Sequence, residues 1–153
     1  MDKITIMVVD DSPFASKQIQ DVVEENGYEV VAYAANGEDG IKLYDEMHPD
    51  IVIMDIIMPG LDGLETAQIL MKKHPDVKIM MLSSLCDAST LEEVRGIGLK
   101  YLIPKPWEDD VLLATLEMLS REVKYKTIDE KVIYGLFTLL HGCTLIKHYT
   151  TGI

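Results

Sequence analysis

Five polar residues that follow short apolar runs have the types needed to bind a metal ion and a phosphate group together. They are Asp10, Asp11, Asp55, Ser83 and Lys105. Three carboxylates brought together at ~4 Å repel by about 1–4 kcal/mol per pair, a cost that a divalent cation between them removes. Hard oxygen ligands with room for waters and a phosphate favour Mg²⁺ over zinc. Any one aspartate alone would more often be a strand-end turn or a helix cap, so the prediction of a magnesium site rests on the set.

The apolar runs predict the strands that must position these residues. They are Ile4–Val9, Glu29–Ala34, Ile51–Met54, Val77–Leu82 and Lys100–Ile103, and segments of helical period alternate with them at roughly 13–26, 38–48, 63–74, 88–96 and 107–121. Nearly continuous apolar runs are typical of parallel strands that helices cover on both faces. Five β-α units predict an α/β fold with a doubly wound parallel sheet and right-handed crossovers. The site in such a sheet lies beyond the carboxyl ends of the strands, where the five polar residues fall.

Length and charge limit the function classes. A chain of 153 residues is sufficient for one domain with a modest appendage. The net charge is −12, and residues 1–120 carry 9 Lys and Arg against 23 Asp and Glu. So acidic a surface repels phosphate backbones and argues against direct binding of nucleic acid. The short first apolar run ends in two aspartates, which predicts neither a secretory signal nor a transmembrane segment. Two cysteines far apart in sequence favour a reduced, cytoplasmic location.

A longer pattern resembles the receiver domains of bacterial response regulators, over residues 3 to about 121. It consists of Asp10-Asp11-Ser12, Asp55-Ile56-Ile57-Met58-Pro59-Gly60-Leu61-Asp62-Gly63, Ser83-Ser84 and Lys105-Pro106. The resemblance implies a flavodoxin-like, five-stranded sheet in the order 2-1-3-4-5. It also implies a signalling module of a two-component phosphorelay rather than an enzyme, one that catalyses only its own phosphorylation and dephosphorylation.

The resemblance also implies roles for the acidic residues. Asp55 would accept a phosphoryl group from a phosphohistidine on a sensor histidine kinase. Asp11, Asp55 and the backbone carbonyl of Ile57 would ligate Mg²⁺ directly, whereas Asp10 would act through a water. A carboxylate is a weak nucleophile, so the protein would contribute alignment and neutralisation of charge.

The remaining roles concern the phosphate and its coupling to the rest of the domain. Lys105 and the hydroxyl of Ser83 would contact phosphate oxygens, and the Lys105–Pro106 bond is usually cis in this family. One departure is that the family's switch aromatic, three residues before the lysine, is replaced here by Leu102. Tyr101 lies one residue earlier and, in a strand, would face the other way.

Two apolar side chains predict a slow loss of the phosphoryl group. The positions two residues after the acceptor and two after the serine are often polar in fast-cycling members of the family. Here they are Ile57 and Leu85, which cannot hydrogen-bond a water and would shield the phosphate. Losing one positioning contact for the attacking water corresponds to about 1–3 kcal/mol, or roughly five- to a hundredfold in rate.

The sequence divides into a receiver at 1–121 and a C-terminal extension at 122–153. Thr127–Glu130 reads as a capping box and Gly142 as a stop, which predicts a helix at 128–141. Its apolar face is predicted to be buried against protein, either the chain's own receiver or a dimer or partner surface. The uncharged stretch around it would rise only about 22 Å as a helix, too short to span a membrane.

Alternative functions make different demands on the sequence. An aspartyl-phosphate phosphatase of the haloacid-dehalogenase type would carry Asp-x-Asp after the first strand, and a nucleotide-binding fold would carry a Gly-rich loop there. Asp10-Asp11-Ser12-Pro13 stands at that place instead. Nothing that resembles a DNA-binding or enzymatic effector follows the receiver, so we expect the output to be protein contact with a downstream target, or a small C-terminal helix that forms a self-dimer or binds a partner.

Overall fold

The computed structural model describes residues 2–124. The chain divides into two units, Met1–Ser120 and Arg121–Ile153. In the first unit, strands and helices alternate as β1 (Thr5–Val9), α1 (Pro13–Glu25), β2 (Glu29–Ala34), α2 (Gly37–Met47), β3 (Ile51–Asp55), α3 (Gly63–Lys73), β4 (Ile79–Ser83), α4 (Ala88–Gly96) and β5 (Leu102–Pro104). Helix α5, at 109–120, closes this unit, and residues 121–124 of the second unit are also helical. The helix predicted at 128–141 lies outside the described residues.

The five strands form one parallel sheet in the order β2-β1-β3-β4-β5, which confirms the predicted fold. The order places β3, which carries Asp55, beside both β1 and β4. Strand β5 is an edge, and Pro104 ends it opposite Ser83. Proline has no backbone N–H to donate and is tolerated at such an edge.

The core of the sheet follows from the apolar runs. All five residues of β3 and of β4 are buried, as expected for central strands covered on both faces. One cluster joins Met7 and Met54 of the sheet to Ala67 and Leu70 of α3. The core also includes fully buried side chains of α1 and α5, namely Ile19, Val23, Leu112 and Leu116.

Several element boundaries differ from the predicted ones; strand β5, for example, spans Leu102–Pro104 and not Lys100–Ile103. Asp55 pairs with Leu82 and is the last residue of β3, and Ser83 likewise ends β4, so both belong to the ladder rather than following it. Strand β4 begins at Ile79 because Val77 N donates to His74 O (3.0 Å) in a turn. Helix α5 begins at 109 and not at 107, and its first turn includes a bond from Leu112 N to Glu108 O (3.1 Å).

None of the helices within residues 2–124 has the length and apolar character needed to cross a membrane. Cys86 is a free, exposed cysteine. The cytoplasmic location stays a prediction.

Candidate functional site

Three aspartates meet at the carboxyl edge of the sheet, as their positions at strand ends predicted. One carboxylate oxygen from each of Asp10, Asp11 and Asp55 lies within 4.8 Å of the others. Asp10 is 3% exposed and Asp55 is 6% exposed, whereas Asp11 is open to solvent. Because β1 and β3 are adjacent and parallel, their last residues reach the same edge and bring these side chains together.

Asp10 is held by the start of α1. Its backbone N–H donates to Ala34 O on the neighbouring strand (3.0 Å), and its Oδ1 accepts from Ser12 N (2.8 Å). Ser12 is the N-cap of α1, and its hydroxyl oxygen accepts from Ala15 N (3.2 Å), with Pro13 in the first turn. The cap and the acidic site therefore share one turn, so the helix start positions the Asp10 carboxylate.

Lys105 brings an ammonium group into the acidic cluster. Its Nζ donates to Asp10 Oδ2 at 2.6 Å and lies 3.1 Å from Asp55 Oδ2. Lys105 N donates to Ser83 O (2.8 Å), and the Lys105–Pro106 bond is cis, as expected from the resemblance. The side chain is only 19% exposed. The lysine thus reaches across the edge of β4 to the two buried carboxylates.

Burial and the charge of Lys105 shift the pKa of Asp55 in opposite directions, and burial and the charges of the carboxylates do the same to the pKa of Lys105. Burial raises the pKa of Asp55 above its ordinary value, although Lys105 acts to lower it. Burial alone would lower the pKa of Lys105, but Asp10 and Asp55 together outweigh it, so the pKa of Lys105 is raised. The lysine is therefore a cation at neutral pH, and the three carboxyl groups outnumber it.

The donor set fits a magnesium ion. All three side chains offer hard oxygen ligands, and the exposed Asp11 leaves one side of the cluster open to solvent. A groove of about 370 Å³ opens beside Asp10 and Asp11, between α1 and the end of β2. Mg²⁺ commonly takes one or two carboxylates and keeps several waters, which this arrangement accommodates. The ligand role of the Ile57 carbonyl stays a prediction.

The remaining predicted residues surround the cluster. Ser83 is fully buried, and its hydroxyl oxygen accepts from Leu85 N (3.0 Å). Ile57 N donates to Asp55 Oδ1 (3.3 Å), so the chain after Asp55 turns back over its carboxylate. Ile57 and Leu85 are 48% and 58% exposed, which places them at the surface and not in the core. Their predicted contact with a phosphate stays a prediction.

Asp62-Gly63, which the sequence predicts as a turn, is the start of α3, and Gly63 lies against the backbone of Asp55. The available signal was a capping box, in which Asp62 Oδ1 accepts from Glu65 N (2.9 Å) and Glu65 Oε2 accepts from Asp62 N (3.1 Å). That pattern predicts where α3 begins. It does not reveal what the first residue of the helix contacts.

Comparison with known proteins agrees with this geometry. The family model for the response regulator receiver domain matches residues 6–117. The chain is similar to the chemotaxis protein CheY of Listeria monocytogenes, at 37% identity over 118 residues that cover 77% of this chain and 99% of that protein. CheY of Thermotoga maritima is 33% identical over 116 residues, or 76% of this chain and 97% of that protein.

Two solved structures extend the comparison. The CheX-CheY-BeF3-Mg+2 complex from Borrelia burgdorferi matches with a TM-score of 0.73 and 27% identity, covering 76% of this chain and 88% of that one. The response regulator domain of Thermotoga maritima CheB matches with a TM-score of 0.68 and 31% identity, covering 80% and 98%. The family model and the relatives span most of the described residues. This chain therefore belongs to the response-regulator receiver family.

Proposed function

We propose that the chain accepts a phosphoryl group on Asp55 from a phosphohistidine of a sensor histidine kinase, in a Mg²⁺-dependent step. The proposal is carried by one observation. The Asp55 side chain is 8% exposed, and its carboxylate lies 3.1 Å from the Lys105 ammonium and within 4.8 Å of oxygens from two further aspartates. A buried carboxylate between a cation and a metal-binding cluster suits the transfer of an anionic group.

The chain's own residues would align the acceptor. The two oxygens of Asp55 have different partners, since Oδ1 accepts from Ile57 N (3.3 Å) and Oδ2 lies beside Lys105 Nζ (3.1 Å). These contacts restrict the rotation of the carboxylate. Holding a reacting group in one orientation is a principal contribution to the rate of phosphoryl transfer.

The same residues would hold the charge of the transferred group. Asp11, Asp55 and the Ile57 carbonyl would ligate Mg²⁺ directly, with Asp10 acting through a water. When bound, the ion supplies positive charge that stabilises the phosphate oxygens. Lys105 would exchange its contact with Asp55 for one with a phosphate oxygen. The Ser83 hydroxyl, whose oxygen already accepts from Leu85 N, has its proton available for another phosphate oxygen.

We further propose that the output is protein–protein contact with a downstream target. The similar protein from Borrelia burgdorferi was solved in a complex with CheX, which supports a protein partner. The acidic composition supports the same conclusion, because it argues against nucleic acid as the direct target. The alternative of a small C-terminal output helix concerns residues outside the described range.

Intact-mass measurement with acetyl phosphate and Mg²⁺ tests the acceptor. We expect the wild-type chain to gain one phosphate and the variant Asp55→Asn to gain none. Omitting Mg²⁺ and adding a chelator should abolish the gain. Asp45→Asn is a matched control, because Asp45 is a carboxylate whose side chain is 42% exposed and whose partners are Lys73 and His74. An unchanged wild-type mass, or a full phosphate on Asp55→Asn, would contradict the assignment.

A further inference from the structure

Gly63, the first residue of α3, lies directly against the backbone of the proposed acceptor. A Cβ at this position would stand 2.0 Å from the carbonyl oxygen of Asp55 and 2.7 Å from the Cα of Ile56. Cβ atoms essentially never come closer than 3.0 Å to such neighbours. The φ angle of Gly63 is not in the left-handed region, unlike that of Gly60. Space, and not backbone conformation, therefore requires glycine here.

The contact closes the loop that follows the acceptor. Gly63 N donates to Ile56 O (2.8 Å), and Ile56 N donates to Leu82 O on β4 (2.9 Å). The first residue of α3 is thereby joined to the carbonyl of Ile56, and the N–H of the same residue, in the peptide group that follows Asp55, is joined to the sheet. Ile57, whose N–H reaches the Asp55 carboxylate, lies inside this closed loop.

Helix α3 has little freedom to move away from the contact. Thr66 is fully buried, and its hydroxyl donates to Asp62 O (2.7 Å), next to the capping box at the helix start. Ala67 and Leu70 on the same helix are fully buried in the core. A methyl group added at Gly63 would therefore press on the backbone of Asp55 and Ile56, because the helix cannot yield without moving its buried side chains.

We infer that Gly63 is a positioning residue for phosphoryl transfer, because its missing side chain lets α3 set the peptide plane between Asp55 and Ile56. That plane determines the direction of the Asp55 carboxylate and the course of the Ile57 backbone. The inference rests on the proposed function of Asp55. Relieving the contact from 2.0 to 3.0 Å requires a shift of about 1 Å. A misplacement of that size can lower a reaction rate by about a hundredfold.

The test is the variant Gly63→Ala in the full chain. The rate of phosphorylation is measured by intact mass at saturating acetyl phosphate and Mg²⁺, at a temperature where circular dichroism shows the variant folded. We expect a rate roughly ten- to a hundredfold below wild type. A merely structural role would lower the melting temperature and leave the rate of the folded molecules unchanged.

Two other glycines provide controls. At Gly37 a Cβ would stand 2.1 Å from Thr66 Oγ1 and 3.0 Å from Leu61 O, so Gly37→Ala causes similar crowding with none of its nearest contacts to Asp55 or Ile56. At Gly96 a Cβ would meet nothing within 4 Å. We expect Gly37→Ala to lower stability with at most a small change in rate, and Gly96→Ala to leave the rate unchanged.

The outcomes separate this inference from the proposed function. If the wild type is phosphorylated and Gly63→Ala reacts at the same rate, Asp55 stays the proposed acceptor and the positioning role is wrong. Equal losses in Gly63→Ala and Gly37→Ala would also overturn the inference, since general disturbance of the loop would explain both. If the wild type takes up no phosphate, the proposed function fails and the inference fails with it.

If Gly63→Ala does not fold, hydrogen exchange of the wild-type chain tests the positioning role of Gly63. Beryllofluoride with Mg²⁺ is added as a phosphoryl mimic, and the exchange of the Gly63 N–H is compared with that of the Gly98 N–H, which donates to Arg95 O (3.0 Å) far along the chain. We expect the mimic to slow exchange at Gly63 at least tenfold more than at Gly98. Equal slowing at the two amides would contradict a link between Gly63 and the acceptor.

Discussion

Replacing Asp55 with asparagine should stabilise the metal-free protein while it removes the acceptor. Burial raises the pKa of Asp55, and Lys105 opposes that rise only in part. Because the folded pKa lies above the unfolded one, the group favours folding most at a pH below its unfolded pKa. That contribution is lost as the pH rises through the folded pKa. At neutral pH the ionised side chain therefore costs free energy of folding, a cost that asparagine avoids.

The size of the stabilisation expected for Asp55→Asn follows from the distances between the charged groups of the cluster. At the 4.8 Å limit, each like-charge pair that Asp55 forms with Asp10 or Asp11 costs about 1–3 kcal/mol. Attraction to Lys105 at 3.1 Å contributes about 1–5 kcal/mol on the same scale. These interactions largely cancel, which leaves the desolvation of a carboxylate whose side chain is 8% exposed. We expect a net gain of about 1 kcal/mol, an ordinary size for one substitution.

Urea unfolding of the full chain with a chelator at neutral pH measures the gain. The stability difference between Asp55→Asn and wild type should shrink on acidification below the ordinary carboxyl pKa. There the wild-type side chain is protonated and, like asparagine, carries no charge. Saturation with Mg²⁺ at a hundred times its dissociation constant should add about 2.7 kcal/mol to the wild type and less to Asp55→Asn. Glu29→Gln is the control, because it removes one exposed charge from β2. A metal-free Asp55→Asn no more stable than wild type, or an equal gain in Glu29→Gln, would refute the reasoning.

Four further outcomes are expected. Asp11→Asn should weaken Mg²⁺ binding at least about tenfold (~1.4 kcal/mol) in a calorimetric titration, and an unchanged affinity would remove Asp11 from the ligand set. Lys105→Ala should still gain phosphate by intact mass, but its beryllofluoride form should capture fewer of the proteins that co-purify with the wild type; equal capture would argue against a signalling role. The double variant Ile57→Asn, Leu85→Glu should lose its phosphoryl group about five- to a hundredfold faster, and an unchanged decay would contradict shielding. If the C-terminal helix forms a dimer, light scattering should give a larger mass for the full chain than for a 1–122 truncation, whereas two monomers at high concentration, with and without beryllofluoride, would exclude self-association.

The sequence by itself was sufficient to predict the layers of the fold and the acidic cluster at the edge of the sheet. The run Ile51–Met54 has no polar alternation, which predicted a central strand buried on both faces, and all of β3 is buried. Residue types at strand ends predicted the acidic cluster, because the carboxyl ends of parallel strands share one edge. Both predictions depend only on the order of apolar and polar residues along the chain, which can be read from the sequence directly.

Tertiary structure decided which atoms of these residues meet. Lys105 Nζ contacts Asp10 Oδ2 at 2.6 Å although 95 positions separate the two residues, and this distance depends on the register of three successive strand pairs, β1 with β3, β3 with β4 and β4 with β5. The contact of Gly63 with the Asp55 carbonyl depends likewise on where α3 packs after its crossover. Periodicity encodes which side chains are buried. It does not encode distances between elements, because those are set by the packing of the whole core.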